Sequence, residues 1–295
     1  MIFDRSLGVS LSGGGIKAYT QIGVLKRMTE SGIEFSGFSG TSMGSIVATF
    51  AAAGCSMDEL EERLLRLEKE IVDRKLLKVS NIQVYPLITQ YVTGLINPIE
   101  FRKLIEIELD DLKLKTLNDI KIPLTIVSAD LISGSIVYFT NRPKAFRPNK
   151  FEIVFSDALL IDALQASCSF PMVFENMMYK DTQLVDGGVL MNLPVKPLRQ
   201  MGFDRIFSIS MENLEPFNQS KKVTNIAMRI FDMSSSDATR NSIAMSDYNL
   251  NVFHKSIGIF SFGKGKQAID LGYKKAEEMM NEIDEIKIDL KRFRI

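Results

Sequence analysis

Between Phe35 and Met57 the chain runs for 23 residues without a charged side chain. A membrane-spanning helix needs about 20 predominantly apolar residues, but 11 of these 23 residues are Gly, Ser or Thr. The segment is instead typical of a buried strand that ends at Ser39, a tight turn, and a buried Ala-rich helix that ends at Ala53. A strand that passes directly into a helix in this way predicts an α/β fold.

Strand patterns and helix patterns alternate along the first half of the chain. This alternation predicts an α/β fold with a mainly parallel central sheet flanked by helices. No repeat or linker divides the sequence, so we expect a single domain over residues 1–295, with 211–295 as its mostly helical C-terminal part. The predicted strands cover residues 8–12, 35–39, 124–130, 135–140, 184–186 and 205–210. The predicted helices cover 16–32, 43–53, 156–167, 194–201 and 267–281, and two more begin near Ser56 and Asn97.

Residue counts narrow the class of protein. Lys and Arg total 36 and Asp and Glu total 36, so the formal net charge is zero, which argues against a nucleic-acid-binding protein. Two cysteines and a single histidine are too few for a disulfide framework or an ordinary zinc site. Few cysteines suit a reducing compartment, and Asp4 and Arg5 interrupt any apolar leader peptide. These features predict a cytoplasmic protein.

Gly13, Gly14 and Gly15 lie between the first predicted strand and the first predicted helix. Backbone N–H groups at such a position favour a bound negative charge. The segment fits the dinucleotide-binding pattern G-x-G-x-x-A, but that pattern requires an acidic residue at the end of the second strand, where this chain has Ser39-Gly-Thr-Ser42. The same N–H groups would also serve as an oxyanion hole for an acyl-transfer intermediate. The glycines alone leave both interpretations open, together with an ordinary turn.

The sequence Gly40-Thr-Ser-Met-Gly44 matches the nucleophile-elbow pattern G-x-S-x-G. In such an elbow the serine lies on a tight strand-to-helix turn, and small flanking residues relieve the crowding around it. The bare pattern is weak evidence, but an apolar strand precedes it and an Ala-rich helix follows it, as the motif requires. We therefore interpret Ser42 as a candidate nucleophile rather than as part of a packing turn.

A serine nucleophile needs a base, and the sequence offers two candidates. Asp186 ends a short apolar strand, and the glycines that follow it, Gly187 and Gly188, would let its carboxylate lie close against another loop. Asp-Gly is also a common turn dipeptide. His254 is the chain's one imidazole, and Ser42, Asp186 and His254 follow the chain order of α/β-hydrolase triads. No Gly-rich loop surrounds His254, which favours a structural role for it.

Together, these three segments resemble the motifs of the patatin-like phospholipase family over about residues 7–210. The segment from Gly13 to Lys17 is similar to the family's oxyanion loop, the segment around Ser42 to its elbow, and the segment from Asp186 to Gly188 to its second catalytic element. Two supporting stretches are also similar, Ala166-Ser-x-x-x-Pro171-x-x-Phe174 and Asn192-x-Pro194. The chain departs from the family at Ser12 and Ala18, where the family often has Asp and Gly.

The resemblance implies a three-layer α/β architecture and a lipid acyl hydrolase of the phospholipase A or lysophospholipase type. Ser42 would attack the ester carbonyl, and Asp186 would accept the serine proton. The N–H groups of the Gly13, Gly14 and Gly15 loop and of Met43 would hold the oxyanion. Such a dyad needs no metal or other cofactor. Its substrate would be a phospholipid or another fatty-acyl ester, and Lys17 is a candidate contact for a lipid phosphate.

A lipid-cleaving enzyme also needs an apolar acyl channel. The segment from Leu76 to Ile96 is rich in Leu, Ile, Val and Tyr, so it is interpreted as a cap, a channel wall or a buried structural segment. The tail from Ile286 to Ile295 alternates apolar and basic residues, which favours a terminal edge strand over contact with an anionic membrane. Apolar residues before Asp186 form a second candidate channel lining: Met172, Val173, Phe174, Met177 and Met178.

Two other classes of protein stay open beside the esterase interpretations. A dinucleotide-binding protein would use the first glycine segment. A second segment, Gly258-x4-Gly263-Lys264, nearly forms a Walker A loop, but Gly265 stands where Ser or Thr must bind magnesium, so we predict no nucleotide site there. A lipid-binding protein with an inactive site is the other class, and the presence of both Ser42 and Asp186 gives no reason to prefer it.

Overall fold

The computed structural model of the chain describes residues 7–76, 94–96, 99–214 and 223–291. The strands within them are β1 (Leu7–Leu11), β2 (Phe35–Thr41), β3 (Gly94–Ile96), β4 (Leu124–Asp130), β5 (Ile136–Thr140), β6 (Glu152–Phe155), β7 (Met172–Phe174), β8 (Met177–Tyr179), β9 (Thr182–Asp186), β10 (Arg205–Ser210) and β11 (Tyr248–Asn251). The helices are α1 (Thr20–Glu30), α2 (Met43–Ala52), α3 (Met57–Asp73), α4 (Ile99–Asp111), α5 (Leu160–Cys168), α6 (Val195–Gln200), α7 (Val223–Met245), α8 (Gly265–Glu278) and α9 (Met280–Lys291).

The central sheet has the strand order β11-β10-β1-β2-β4-β5-β6, and β9 pairs with β4 and β8. The pairs from β11 to β4 are parallel, as is the pair β5 and β6. β4 pairs antiparallel with β5 and β9, and β8 pairs antiparallel with β9. The mainly parallel sheet that the sequence predicts is therefore confirmed.

Strand register brings the ends of two strands, β2 and β9, together against β4. Val127 of β4 lies beside Thr41, the last residue of β2, and the next residue, Ser128, lies beside Asp186 at the end of β9. Because β2 and β9 run in opposite directions against β4, their final residues meet at the same level of the sheet. The turn after β2 and the turn after β9 therefore leave the sheet side by side.

Apolar cores cover both faces of the sheet. On β10, Phe207 and Ile209 belong to the larger core, which also contains residues of α1–α5, α8 and α9. The alternate residue Ile206 belongs to a smaller core with Leu198 of α6 and with Phe203. Alternation along a strand sends successive side chains to opposite faces, so the molecule has a helix layer on each side of the sheet.

Helix α8 is packed directly onto α1 in the larger core. A Cβ atom on Gly23 of α1 would lie 1.9 Å from the carbonyl oxygen of Ile269, and one on Gly272 of α8 would lie 1.8 Å from that of Thr20. The two glycines therefore permit backbone-to-backbone contact that any side chain would prevent. This contact ties the C-terminal helices to the N-terminal part of the sheet.

Some elements differ from the sequence prediction. Helix α5 begins at Leu160 rather than near Ser156, because Leu159 is held extended in a bridge with Thr116. The prediction of an edge strand for the tail is wrong as far as Lys291, since these residues form α9, whose Ile283 and Ile286 are buried three positions apart. That spacing suits a helix face. The strands that the sequence does not predict are short: β3, β6, β7, β8 and β11.

No helix in the described ranges is both long and apolar enough to cross a membrane. Of the segment from Leu76 to Ile96, which the sequence suggests as a cap or channel wall, residues 77–93 lie outside the described part. Its final residues form β3, which pairs in parallel with β7.

Candidate active site

Ser42 occupies the sharp turn between β2 and α2. Its backbone has φ 53° and ψ −134°, a left-handed region that non-glycine residues rarely adopt. The flanking glycines are required by close packing. A Cβ on Gly40 would lie 2.4 Å from the carbonyl oxygen of Gly44, and a Cβ on Gly44 would lie 2.4 Å from that of Ser12. The strand–elbow–helix context predicted from the sequence is what the structure contains.

Asp186 ends β9, and its side chain is 2 % exposed. One carboxylate oxygen, Oδ1, accepts a hydrogen bond of 2.8 Å from the N–H of Gly188, and the carboxylate lines the same cavity as Ser42. Burial raises the pKa of Asp186 to about 6, although the nearby Ser42 side chain and the Gly188 N–H oppose that rise. Gly187 permits the close approach, because its Cβ would lie 2.4 Å from the carbonyl oxygen of Val127.

The N–H groups of the first glycine segment differ in whether they already have a hydrogen-bond partner. The N–H of Gly13 donates to the carbonyl oxygen of Asn192 at 3.1 Å, so it is already engaged. Within the described residues, the N–H groups of Gly14, Gly15 and Met43 have no hydrogen-bond partner, and all three residues line the same cavity as Ser42. Gly15 has φ 56°, which favours glycine. Of the four predicted oxyanion donors, Gly13 is already bonded to Asn192, and within the described residues Gly14, Gly15 and Met43 have free N–H groups.

A cavity of about 310 Å³ opens over Ser42 and Asp186. This volume lies at the lower end of the roughly 300–1,000 Å³ of ordinary ligand sites. Of the predicted channel residues, Phe174 lines the cavity, whereas Met177 packs against the larger core and Met178 is 63 % exposed. The side chains of Met172 and Val173 are not among those that the structure describes. The large apolar residues that line the cavity are Met43, Phe101, Phe170, Phe174, Met211, Leu214, Met233, Ile259, Phe260 and Phe262.

The cavity also has a polar side. Lys17 is half-buried there; burial lowers its pKa, and the negative charge of Asp232 on α7 opposes that shift. Sequence reasoning missed the contribution of α7, because that helix carries no motif and its polar residues look like those of a solvated helix. Only the tertiary fold brings it to the cavity. The residues of α7 that line the cavity are Arg229, Asp232, Met233, Ser235, Ser236, Thr239 and Arg240.

The triad alternative loses its structural support, and the Walker-like segment, for which the sequence predicts no nucleotide site, binds a carboxylate of the chain itself. His254 is exposed, its ring Nδ1 lies 2.8 Å from the hydroxyl of Ser256, and it is not among the residues that line the cavity. In the Walker-like segment, the Glu68 carboxylate accepts hydrogen bonds from the N–H groups of Gly263 and Gly265 at 2.6 and 3.0 Å. A carboxylate of the chain therefore occupies the place that a phosphate would need. Among the described residues no cluster of His, Cys, Asp or Glu could hold a metal ion.

An elbow serine beside a buried carboxylate, on a mainly parallel sheet with helices on both faces, is typical of serine ester hydrolases. A family model described as patatin-like phospholipase matches residues 9–199. The chain therefore belongs to the patatin-like phospholipase family. The matched range contains the first glycine segment, Ser42 and Asp186, and it ends before α7.

Several proteins are similar to the chain in sequence. An uncharacterised NTE family protein of Mycobacterium tuberculosis is 26% identical over 212 residues, which cover 71% of this chain and 50% of that protein. An uncharacterised Bacillus subtilis protein is 29% identical over 197 residues, 62% of this chain and 64% of that protein. Lysophospholipase NTE1 of Debaryomyces hansenii is 25% identical over 74% of this chain and 13% of that protein. The chain thus spans about half the length of the mycobacterial relative.

Solved structures with similar folds include VipD from Legionella pneumophila, with a TM-score of 0.49 and 14% identity over 95% of this chain and 67% of that one. The human GIVD cytosolic phospholipase A2 has a TM-score of 0.43 and 11% identity over 98% of this chain and 60% of that one.

Proposed function

We propose that this chain is a lipid acyl hydrolase in which Ser42 is the nucleophile and Asp186 is the general base. The observation that carries the proposal is the placement of Ser42 and the buried Asp186 carboxylate together in one cavity with a largely apolar lining. A serine nucleophile requires a base beside it. Asp186 is close enough for the Ser42 side chain to affect its pKa, whereas the exposed His254 does not line the cavity.

The reaction would proceed through an acyl-enzyme. Ser42 Oγ attacks the ester carbonyl carbon while Asp186 accepts the hydroxyl proton. The tetrahedral intermediate then collapses, the ester C–O bond breaks, and the proton passes from Asp186 to the leaving alcohol. In the second half, Asp186 takes a proton from water, the resulting oxygen attacks the acyl carbon, and Ser42 leaves with the proton. The products are an alcohol and a fatty acid.

The negative oxygen of the intermediate would be held by the N–H groups of Gly14, Gly15 and Met43. These donors are unpaired within the described part of the chain and line the cavity beside Ser42. Donors that are fixed before the reaction stabilise the developing charge at little reorganisation cost. Gly13 has a different role: its N–H bonds Asn192, and a Cβ at Gly13 would lie 3.0 Å from the Cβ of Ser42. Gly13 therefore lets the loop pack against the elbow.

The proposed substrate is a phospholipid or another fatty-acyl ester. The apolar wall of the cavity suits an acyl chain, and Lys17 at its polar side is placed to contact a lipid phosphate. We propose that the described elements form a single domain, because α8 packs against α1 in the larger core. The two cysteines are free, which suits a cytoplasmic protein, and a lipid substrate implies peripheral contact with a membrane.

A fluorophosphonate probe tests the proposal directly. The probe forms a covalent bond with activated serines, so mass spectrometry of the wild-type protein should place the adduct on Ser42. The Ser42→Ala variant should carry no adduct and should fail to release fatty acid from phospholipid or lysophospholipid vesicles. Labelling of a different serine, or no labelling together with lipid binding, would contradict the proposal and favour a non-catalytic lipid-binding protein.

A further inference from the structure

The C-terminal end of α5 contacts the backbones of both proposed catalytic residues. The hydroxyl of Ser167 accepts a hydrogen bond of 2.9 Å from the N–H of Ser42 and donates one of 2.6 Å to the carbonyl oxygen of Val127. Two positions later, the carbonyl oxygen of Ser169 accepts a bond of 2.9 Å from the N–H of Asp186. Three consecutive residues thus reach both the elbow and the end of β9.

The backbone N–H of Ser42 requires a hydrogen-bond acceptor that the sheet does not supply. The pairing of β2 with β4 ends with Thr41 beside Val127, so the N–H of Ser42 falls just beyond the sheet ladder. Ser167 is fully buried, and a buried N–H without an acceptor is rare in native structures. A residue with positive φ also persists only where its surroundings hold it in place. The Ser167 hydroxyl supplies the missing acceptor at the point of backbone strain.

The same segment also places a side chain at the cavity beside the proposed dyad. Cys168 lines the cavity together with Ser42 and Asp186. Burial raises the pKa of its thiol well above the usual range, as does the nearby charge of Asp186. A thiol that stays protonated is a poor nucleophile. Cys168 therefore fills space beside Ser42, whereas the polar contacts to the elbow and to β9 come from its two neighbours.

We infer that Ser167 is a positioning residue for the ester hydrolysis proposed above. By joining the Ser42 N–H to the Val127 carbonyl, it fixes the elbow relative to β4, the strand that also carries β9 and therefore Asp186. The distance between the serine hydroxyl and the carboxylate depends on this connection. Ser167 touches neither substrate nor the reacting atoms, so its effect passes through the backbone of Ser42. The inference rests on the proposed function for its catalytic consequence.

The test compares Ser167→Ala with a matched control, Ser39→Ala. Ser39 is also fully buried, and its hydroxyl donates to the carbonyl oxygen of Pro194 at 2.6 Å, but it does not contact Ser42. Each variant loses one buried hydroxyl, which makes two hydrogen bonds in Ser167 and one in Ser39, so both melting temperatures should fall, that of Ser167→Ala by more. In Ser167→Ala alone, hydrogen exchange at the Ser42 amide should become about tenfold faster, because one hydrogen bond is lost.

The catalytic measurements use a short-chain ester. In Ser167→Ala, kcat should fall about ten- to a hundredfold with little change in KM, because misplaced reacting groups cost rate rather than binding. The acid limb of its pH profile should also move to higher pH, because displacing the Ser42 side chain weakens one influence that lowers the Asp186 pKa. Ser167→Thr retains the hydroxyl and should recover much of the rate, and Ser39→Ala should keep wild-type kcat.

Unchanged exchange at Ser42 in Ser167→Ala would overturn the inference, as would a loss of kcat no larger than that of Ser39→Ala. If the wild-type protein neither hydrolyses esters nor reacts with the fluorophosphonate, the proposed function fails instead. The exchange measurement still decides in that case whether Ser167 holds the Ser42 backbone.

Discussion

Two glycine-rich segments of this chain precede helical turns, and they differ in what their N–H groups contact. In the first segment, Gly14 and Gly15 line the cavity, and their N–H groups have no partner within the described residues. In the second, the N–H groups of Gly263 and Gly265 donate to the carboxylate of Glu68, which is only 5 % exposed. Within the described residues, the first segment leaves N–H groups unpaired at the cavity, and the second uses its N–H groups to hold the fold together.

The difference shows that a glycine-rich loop before a helix defines only a capacity to bind negative charge. Whether that capacity is used by a ligand depends on the rest of the chain. Glu68 belongs to α3, almost 200 residues from the loop that it binds. The loop carries Ile259, Phe260 and Phe262 to the cavity wall. The second segment therefore holds part of the wall of the cavity that Gly14 and Gly15 also line.

The largest expected effect concerns the side chains next to the first segment. Ser42→Ala and Asp186→Asn should each reduce ester hydrolysis by about 10⁴–10⁶, because removing nucleophile or base leaves only residual stabilisation of the intermediate. The measurement is turnover of a short-chain ester, with folding checked by thermal melt. His254→Gln is the matched control and should stay within about tenfold of wild type, since its ring is exposed. A folded but inactive His254→Gln variant would instead favour a triad.

The second prediction compares the two loops directly. Gly15→Ala should reduce kcat by about 10²–10³ with a smaller effect on KM, as expected for a disturbed oxyanion hole. Its Cβ would lie 2.3 Å from the carbonyl oxygen of Ile259 at a positive φ, so the loop must shift. Gly258→Ala in the second segment is the control, because its Cβ meets only the Ser261 hydroxyl at 3.3 Å. Equal kinetic losses in both variants would argue against a special role for the first loop.

The third prediction uses the pKa of Asp186, which is about 6 in the folded protein and about 3.9 in an unfolded chain. The folded state thus binds this proton more tightly, so ionisation destabilises it as the pH rises from about 4 to 6. Asp186→Asn removes that penalty and should raise the free energy of unfolding at pH 7 by up to about 3 kcal/mol. The gain should vanish near pH 4. Denaturant unfolding at both pH values measures it, and a pH-independent difference would contradict the assignment.

In the wild-type enzyme the same pKa sets the acid limb of the activity profile. Asp186 must be ionised to accept the serine proton, so kcat/KM should rise with pH and level off above about pH 6. A rise centred near pH 4 would show that the carboxyl group is not the buried base described here.

The smallest effect is expected at the second segment. Glu68→Ala leaves the N–H groups of Gly263 and Gly265 without an acceptor, which should lower the free energy of unfolding by about 1–3 kcal/mol. Activity should decrease only through loosening of the cavity wall. Glu70→Ala is the matched control on the same helix, since its ion pair with Arg74 is exposed and such pairs contribute about 0–1 kcal/mol. Equal stability losses would show that Glu68 does not anchor the loop.

Local patterns in the sequence are enough to predict the α/β architecture and the strand, turn and helix around Ser42. The uncharged stretch around Ser42 specifies a strand, a tight turn and a buried helix locally, because its small residues and glycines satisfy a geometry that larger residues would prevent. The alternation of strand and helix patterns was enough to predict a mainly parallel sheet, since parallel strands need helical crossovers. Short strands such as β8 and β11 escaped prediction because pairing partners, rather than their own patterns, make them extended.

The way in which the motifs combine depends on contacts between distant parts of the chain. The sequence leaves Asp186 and His254 as rival bases, and only the register of β9 on β4 places Asp186 beside the end of β2. The sequence predicts no nucleotide site at the second glycine segment because of Gly265, but only the packing of α3 shows that Glu68 binds the N–H groups there. It gave no signal for α7 at the cavity or for Ser167 behind the elbow. Such contacts join residues that are distant in sequence, and no local pattern of residues encodes a distant partner.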